Sequence, residues 1–107
     1  MSTFEDREKA FENKYMHDST MQFKVAARRN KKLGIWAAEL MGLSGAAAEA
    51  FAKEVVASDL EEAGEEDVFR KVKGDLSAKG VHATEVEIRE KMAAYMIEAK
   101  AEIMDEA

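Results

Sequence analysis

The chain has 107 residues, 22 of them acidic and 16 basic, a formal net charge of −6, and neither proline nor cysteine. The acidic balance argues against nucleic acid as the main partner, because phosphate recognition needs a basic face. The missing cysteines exclude disulfides, thiolate catalysis and cysteine-ligated metals.

A chain of this length fits one domain with one modest core. Abundant alanine, glutamate and lysine, with few β-branched residues, point to helix throughout. The N-terminus is charged and lacks the apolar run of a signal peptide. No stretch approaches the roughly 18 consecutive apolar residues of a membrane span. A cytoplasmic protein without direct membrane insertion is the expectation.

Residues 1–17 read as an arm. Ser2 and Glu5 are spaced as a capping box, and Glu5, Glu8, Lys9, Glu12 and Lys14 favour helix. Phe4, Phe11 and Tyr15 make a narrow apolar stripe on an otherwise charged rod, with Met16 beside it. Burying each large side chain contributes roughly 1.5–3 kcal/mol, while fixing each backbone residue costs roughly 1–2 kcal/mol. So few anchors cannot order a dozen residues, and an isolated helix this short is marginal. The arm is therefore expected to be flexible, becoming helical when a partner supplies a groove. A frayed extension of the next helix, with no role of its own, is the alternative.

Four amphipathic segments follow in residues 18–107. The first, about Thr20 to Met41, carries Phe23, Ala26, Ala27, Leu33, Trp36, Ala37 and Leu40 as its apolar stripe. Asp18 or Ser19 can cap its start, and Gly42 ends it. The second starts after the N-cap candidate Ser44 and runs to about Glu62, burying Ala48, Phe51, Ala52, Val55, Val56 and Leu60 before Gly64 stops it.

Glu65, Glu66 and Asp67 open the third at its positive end; Val68, Phe69, Val72 and Leu76 form its core edge, and Gly80 closes it. The fourth opens on a Thr84–Glu87 capping box and carries Ile88, Met92, Tyr95, Met96, Ala99 and Ile103. Asp105 and Glu106 oppose the C-terminal dipole, so its last turn is expected to fray. Short connections between four such helices predict an all-α, four-helix bundle with a flexible, potentially helical N-terminal arm.

Lys24, Arg28, Arg29, Lys31 and Lys32 cluster on the first segment. With Trp36 one or two turns away, Arg28, Arg29 and Lys32 could hold a nucleotide phosphate beneath a stacking plane. The plainer reading, a helix face neutralised by neighbouring acids, is favoured. No glycine-rich phosphate loop is present.

The acids around Gly64, namely Glu61, Glu62, Glu65, Glu66 and Asp67, lack the alternating spacing of a calcium loop and read as caps and counter-charges. His17 and His82 form no spaced ligand pair. His17 beside Asp18 marks the joint between arm and helices, where protonation could change helix continuity, but an exposed bystander is the favoured reading. No nucleophile, acid or base constellation is visible. No catalytic or metal site is assigned, and no cofactor is required.

Three stretches together carry a resemblance: Phe4–Tyr15 (FEDREKAFENKY), Phe23–Ala38 (FKVAARRNKKLGIWAA), and Glu54–Leu60 (EVVASDL) leading into Gly64–Lys71 (GEEDVFRK). They resemble the bacterial ATPase-inhibitor zeta subunit of the F-type ATP synthase over essentially the whole chain. The basic stretch running into Gly34-Ile35-Trp36 is the most specific part. Leu60 and Ala63 stand where many relatives have an aromatic and a proline, which would loosen the turn near Gly64.

The resemblance implies a four-helix bundle whose N-terminal segment folds at a catalytic α/β-subunit interface and stops ATP hydrolysis. Carried over by position, Phe4, Phe11 and Tyr15 are the anchors, and Arg7, Lys9 and Lys14 add salt-dependent contacts. It further implies ATP or ADP as a candidate ligand. The expected molecule is a monomer when free and binds the synthase head. A soluble adenine-nucleotide sensor and a helical adaptor for another complex are the alternatives.

Overall fold

The computed structural model describes residues 3–15, 19–59 and 65–106, and all regular structure among them is helical. The helices are α1 (Phe4–Tyr15), α2 (Ser19–Leu40), α3 (Gly45–Ser58), α4 (Glu66–Ala78) and α5 (Glu85–Glu106). Leu60, Glu61, Glu62, Ala63 and Gly64, together with Ser2, Met16, His17 and Asp18, lie outside the described residues. So do the side chains of Phe4, Phe11, Lys14 and Tyr15.

Local chemistry sets the helix ends. Thr3 and Asp6 form a reciprocal cap on α1. The Asp6 N–H donates to Thr3 Oγ1 at 3.1 Å, and the Thr3 N–H donates to Asp6 Oδ2 at 3.4 Å. Gly42 and Gly80 close α2 and α4 with positive φ of 78° and 75°. Each allows the Schellman pattern, in which the next N–H reaches back to a carbonyl, Leu43 to Ala38 at 2.8 Å and Val81 to Leu76 at 2.9 Å.

Two expected caps differ in detail. Ser44 holds the N-cap position of α3 with extended backbone but makes no side-chain cap bond. Thr84 Oγ1 accepts from the Glu87 N–H at 3.1 Å, yet the Glu87 carboxylate meets the Thr84 hydroxyl rather than its N–H.

Helix α2 is central, packing against α3, α5 and α4, while α3 meets α4 and α4 meets α5. The main core gathers Leu33, Ala37, Phe51, Val55, Val68, Val72, Leu76, Ile88 and Met92. A smaller one joins Val25 to Ala99 and Ile103, with three methionines around it. Gly34 fixes the contact between α2 and α3, since a Cβ there would lie 2.7 Å from the Ala52 Cα.

The expected stripe of α2 needs correction. Phe23 and Leu40 are 53% and 45% exposed, whereas Val25, absent from the stripe, is buried. Phe23 lies three turns before Gly34 and so shares the face turned towards α3. At 14 residues α3 is too short to cover the full length of the 22-residue α2.

The expected fraying of α5 is also not seen. Helix continues through Glu106, because basic side chains from α1 and α2 meet its terminal acids.

Gly34→Ala should lower the thermal midpoint by several degrees despite its better helix propensity. Overpacking of this kind costs ~1–3 kcal/mol, and each kcal/mol moves a small domain by ~4–8 °C. Gly74→Ala, in open space on α4, should instead raise it slightly. Circular dichroism melts of both variants check the pair.

Candidate functional site

The basic cluster divides between two sides of α2. Arg28 grips Glu106 of α5 with both terminal nitrogens, Nη1 to Oε1 at 2.5 Å and Nη2 to Oε2 at 3.1 Å. Lys32 Nζ lies 2.7 Å from Glu102 Oε2 and 3.5 Å from Glu98 Oε1. Two cations four residues apart on α2 thus face three carboxylates spaced by four on α5.

The hydrogen bond to Glu106 is the main cause raising the Arg28 pKa. The bond to Glu102 does the same for Lys32. Reciprocally, the bond from Lys32 holds the Glu102 carboxyl below its ordinary value, with the Arg28 charge assisting.

Arg29 turns the other way. It is 3% exposed, donates from Nε to Asn30 Oδ1 at 2.9 Å, and reaches Glu65 Oε1 through Nη1 at 2.8 Å. Asp59 lies 3.9 Å from its other terminal nitrogen. This side chain therefore ties α2 to both flanks of the α3–α4 connection. Asn30 is fully buried beside it.

Lys24 and Lys31 remain exposed. Among the acids grouped around Gly64 in the sequence, Glu65 neutralises Arg29, Glu66 meets Arg89, and Asp67 pairs with Arg70.

An open groove of about 430 Å³ runs beside the Arg28–Lys32 ladder. Lys31 joins those two cations on its wall, Trp36 and Tyr95 supply aromatic surface, and Glu39 and Glu102 bring negative charge. Trp36 also borders a second groove and has Lys91 Nζ 5.9 Å from its ring centre. Burial, then the carboxylates of Glu98 and Glu39, push the Tyr95 phenol pKa up.

The fold thus brings Arg28, Lys32 and Trp36 to one groove and directs Arg29 to a different contact. Chemically the groove can hold an anion beside an aromatic ring, provided the anion competes with α5 for the cations. Tyr95 and Glu102 belong to it, neither of them a candidate from the sequence alone. For Glu102 the one legible signal was the register of Glu98, Glu102 and Glu106 against Arg28 and Lys32. Among the described residues no group of three or more His, Cys, Asp or Glu side chains could hold a metal ion. No helix among the described residues is long and apolar enough to cross a membrane.

Among the described residues, α1 contributes none to the lining of this groove. Helix α1 packs against α5, and Arg7 Nη2 donates to Asp105 Oδ1 at 2.5 Å. Lys9 is exposed on α1, and the backbones of Phe4, Phe11, Lys14 and Tyr15 belong to the same helix.

The Glu102 pairing has a testable sign. A carboxyl held below its ordinary 4.5 adds stability above that pH, and the gain is lost as pH falls through the depressed value. Lys32→Gln should bring the Glu102 titration, followed by carboxyl NMR, back up towards 4.5 and flatten this acid-side loss. Arg29→Ala should destabilise the fold by ~1–3 kcal/mol in a denaturant titration, since Asn30 Oδ1 loses its donor in the interior.

Comparison with known proteins gives a consistent result. The family model described as ATPase inhibitor subunit zeta matches residues 1–102. A search among curated proteins finds no match. A protein whose structure was solved by solution NMR is 55% identical, with a TM-score of 0.71, over 81% of this chain and 99% of its own. The chain belongs to the ATPase inhibitor subunit zeta family.

Proposed function

We propose that the chain is a regulatory, non-catalytic inhibitor of the F-type ATP synthase, and that its arm is the effector. In this reading residues 1–17 insert as a helix at a catalytic α/β-subunit interface of the cytoplasmic head and block its closure, stopping hydrolysis. Phe4, Phe11 and Tyr15 enter apolar pockets, while Arg7, Lys9 and Lys14 make salt-dependent contacts. Helices α2–α5 act as a four-helix bundle that anchors outside the interface.

The supporting observation is the division of the molecule. The described core clusters draw on no residue before Met21, whereas the family match begins at residue 1 and takes in the arm. In this reading the arm, which carries its own Thr3–Asp6 cap, can leave without unfolding the rest.

The groove favours a second reading, adenine-nucleotide binding, because it places Arg28, Lys31 and Lys32 beside Trp36. The acids already bonded to Arg28 and Lys32 oppose it, since a phosphate must displace them. If the groove is a nucleotide site, ADP should change Trp36 fluorescence, and Arg28→Gln with Lys32→Gln should remove the response. An unresponsive wild-type protein would leave the groove as surface relief.

Deleting residues 1–17 should keep the thermal midpoint within a few degrees and abolish inhibition of ATP hydrolysis by the purified synthase head. Phe4→Ser and Phe11→Ser should each weaken inhibition about tenfold or more, the effect of losing ~1.5–3 kcal/mol of burial. Full inhibition by the truncated protein would make α2–α5 the effector. Melting of the truncated protein would make the arm part of the core.

A further inference from the structure

Arg7 cannot serve both a partner and this chain at once. Its bond to Asp105 joins residues 98 apart in sequence and brings α1 to the last turn of α5. That turn carries the negative end of the helix dipole, a favourable place for a cation. Arg28 engages Glu102 and Glu106 there, and Asp105 is engaged by Arg7.

We infer that the Arg7–Asp105 pair is an autoinhibitory latch that stows the arm along α5 in the free protein. The inference rests on the arm being the inhibitory element, and adds an intramolecular site that competes with the partner for it. The two side chains are 49% and 68% exposed, so solvent screens the pair. Exposed ion pairs of this kind shift an equilibrium by up to about fivefold. Stowing lowers the fraction of protein ready to bind, and apparent affinity falls by the same factor. A weak latch suits this role, because a partner offering a whole apolar groove can open it.

Salt alone is a poor probe, since it weakens the latch and the cationic contacts of the arm with a partner together. Asp105→Asn in the full chain separates the two effects. In the free variant, backbone amides of α1 should exchange two- to fivefold faster, with the buried middle of α5 unchanged. Inhibition of ATP hydrolysis by the synthase head should become two- to fivefold more potent.

Arg7→Asp alone should also lose arm protection, and combining it with Asp105→Arg should restore it. Unchanged arm protection in Asp105→Asn would overturn the latch whatever happens to inhibition. Faster exchange without a gain in potency would show a contact that does not regulate, and would overturn the autoinhibitory role. Should the wild-type protein fail to inhibit the head, the proposed function falls, while the exchange measurement still decides whether the pair holds the arm.

Discussion

Helix α2 has no side chain at Gly34, and that absence lets its backbone settle against Ala52 of α3. The close approach fixes how α2 is rotated, and the rotation decides where every cation on it goes. With Gly34 against α3, Leu33 and Ala37 enter the core, Arg29 is drawn inside, and Arg28 and Lys32 turn towards α5. The groove beside Trp36 follows from the same rotation. A bulkier residue at position 34 would therefore disturb the charge layout as well as the packing.

Electrostatics then completes what packing begins. An acidic protein has gathered five of its cations on its central helix, and α5 answers with carboxylates at matching spacing. The pairs do more than balance charge. Arg28 and Arg7 neutralise an end of α5 that would otherwise carry acids against its own dipole. The same contacts bring the N-terminal helix and the C-terminal turn together, so the charge network of α2 reaches the arm through α5.

Helices α2, α4 and α5 were legible because local chemistry marks their boundaries, whereas α3 ends at Ser58, short of the expected Glu62. Gly42 and Gly80 close helices by their own φ, and Thr84 caps one by its own hydroxyl. The misread positions share a non-local cause. A single apolar stripe presumes one neighbour, but α2 has several and outruns α3, so Phe23 is left exposed and Val25 is buried. Spacing by four and eight put Arg28, Lys32 and Trp36 on one side of a helix, and the fold keeps them together. Nothing local distinguished Arg29, whose burial depends on Asp59 and Glu65 more than two dozen residues away. Tyr95 read as part of a core stripe, and only its position across from Trp36 reveals it as a groove wall.

Family membership and an arm carrying its own apolar stripe support the proposed insertion of that arm into a catalytic interface. The most direct test places a photo-crosslinking residue at position 11 of the full-length protein and irradiates it with the synthase head during inhibition. The account predicts crosslinks to both α and β subunits at a catalytic interface, growing in step with the loss of ATP hydrolysis. Full inhibition with no crosslink from position 11, and crosslinks only from a probe on α3 or α5, would contradict it.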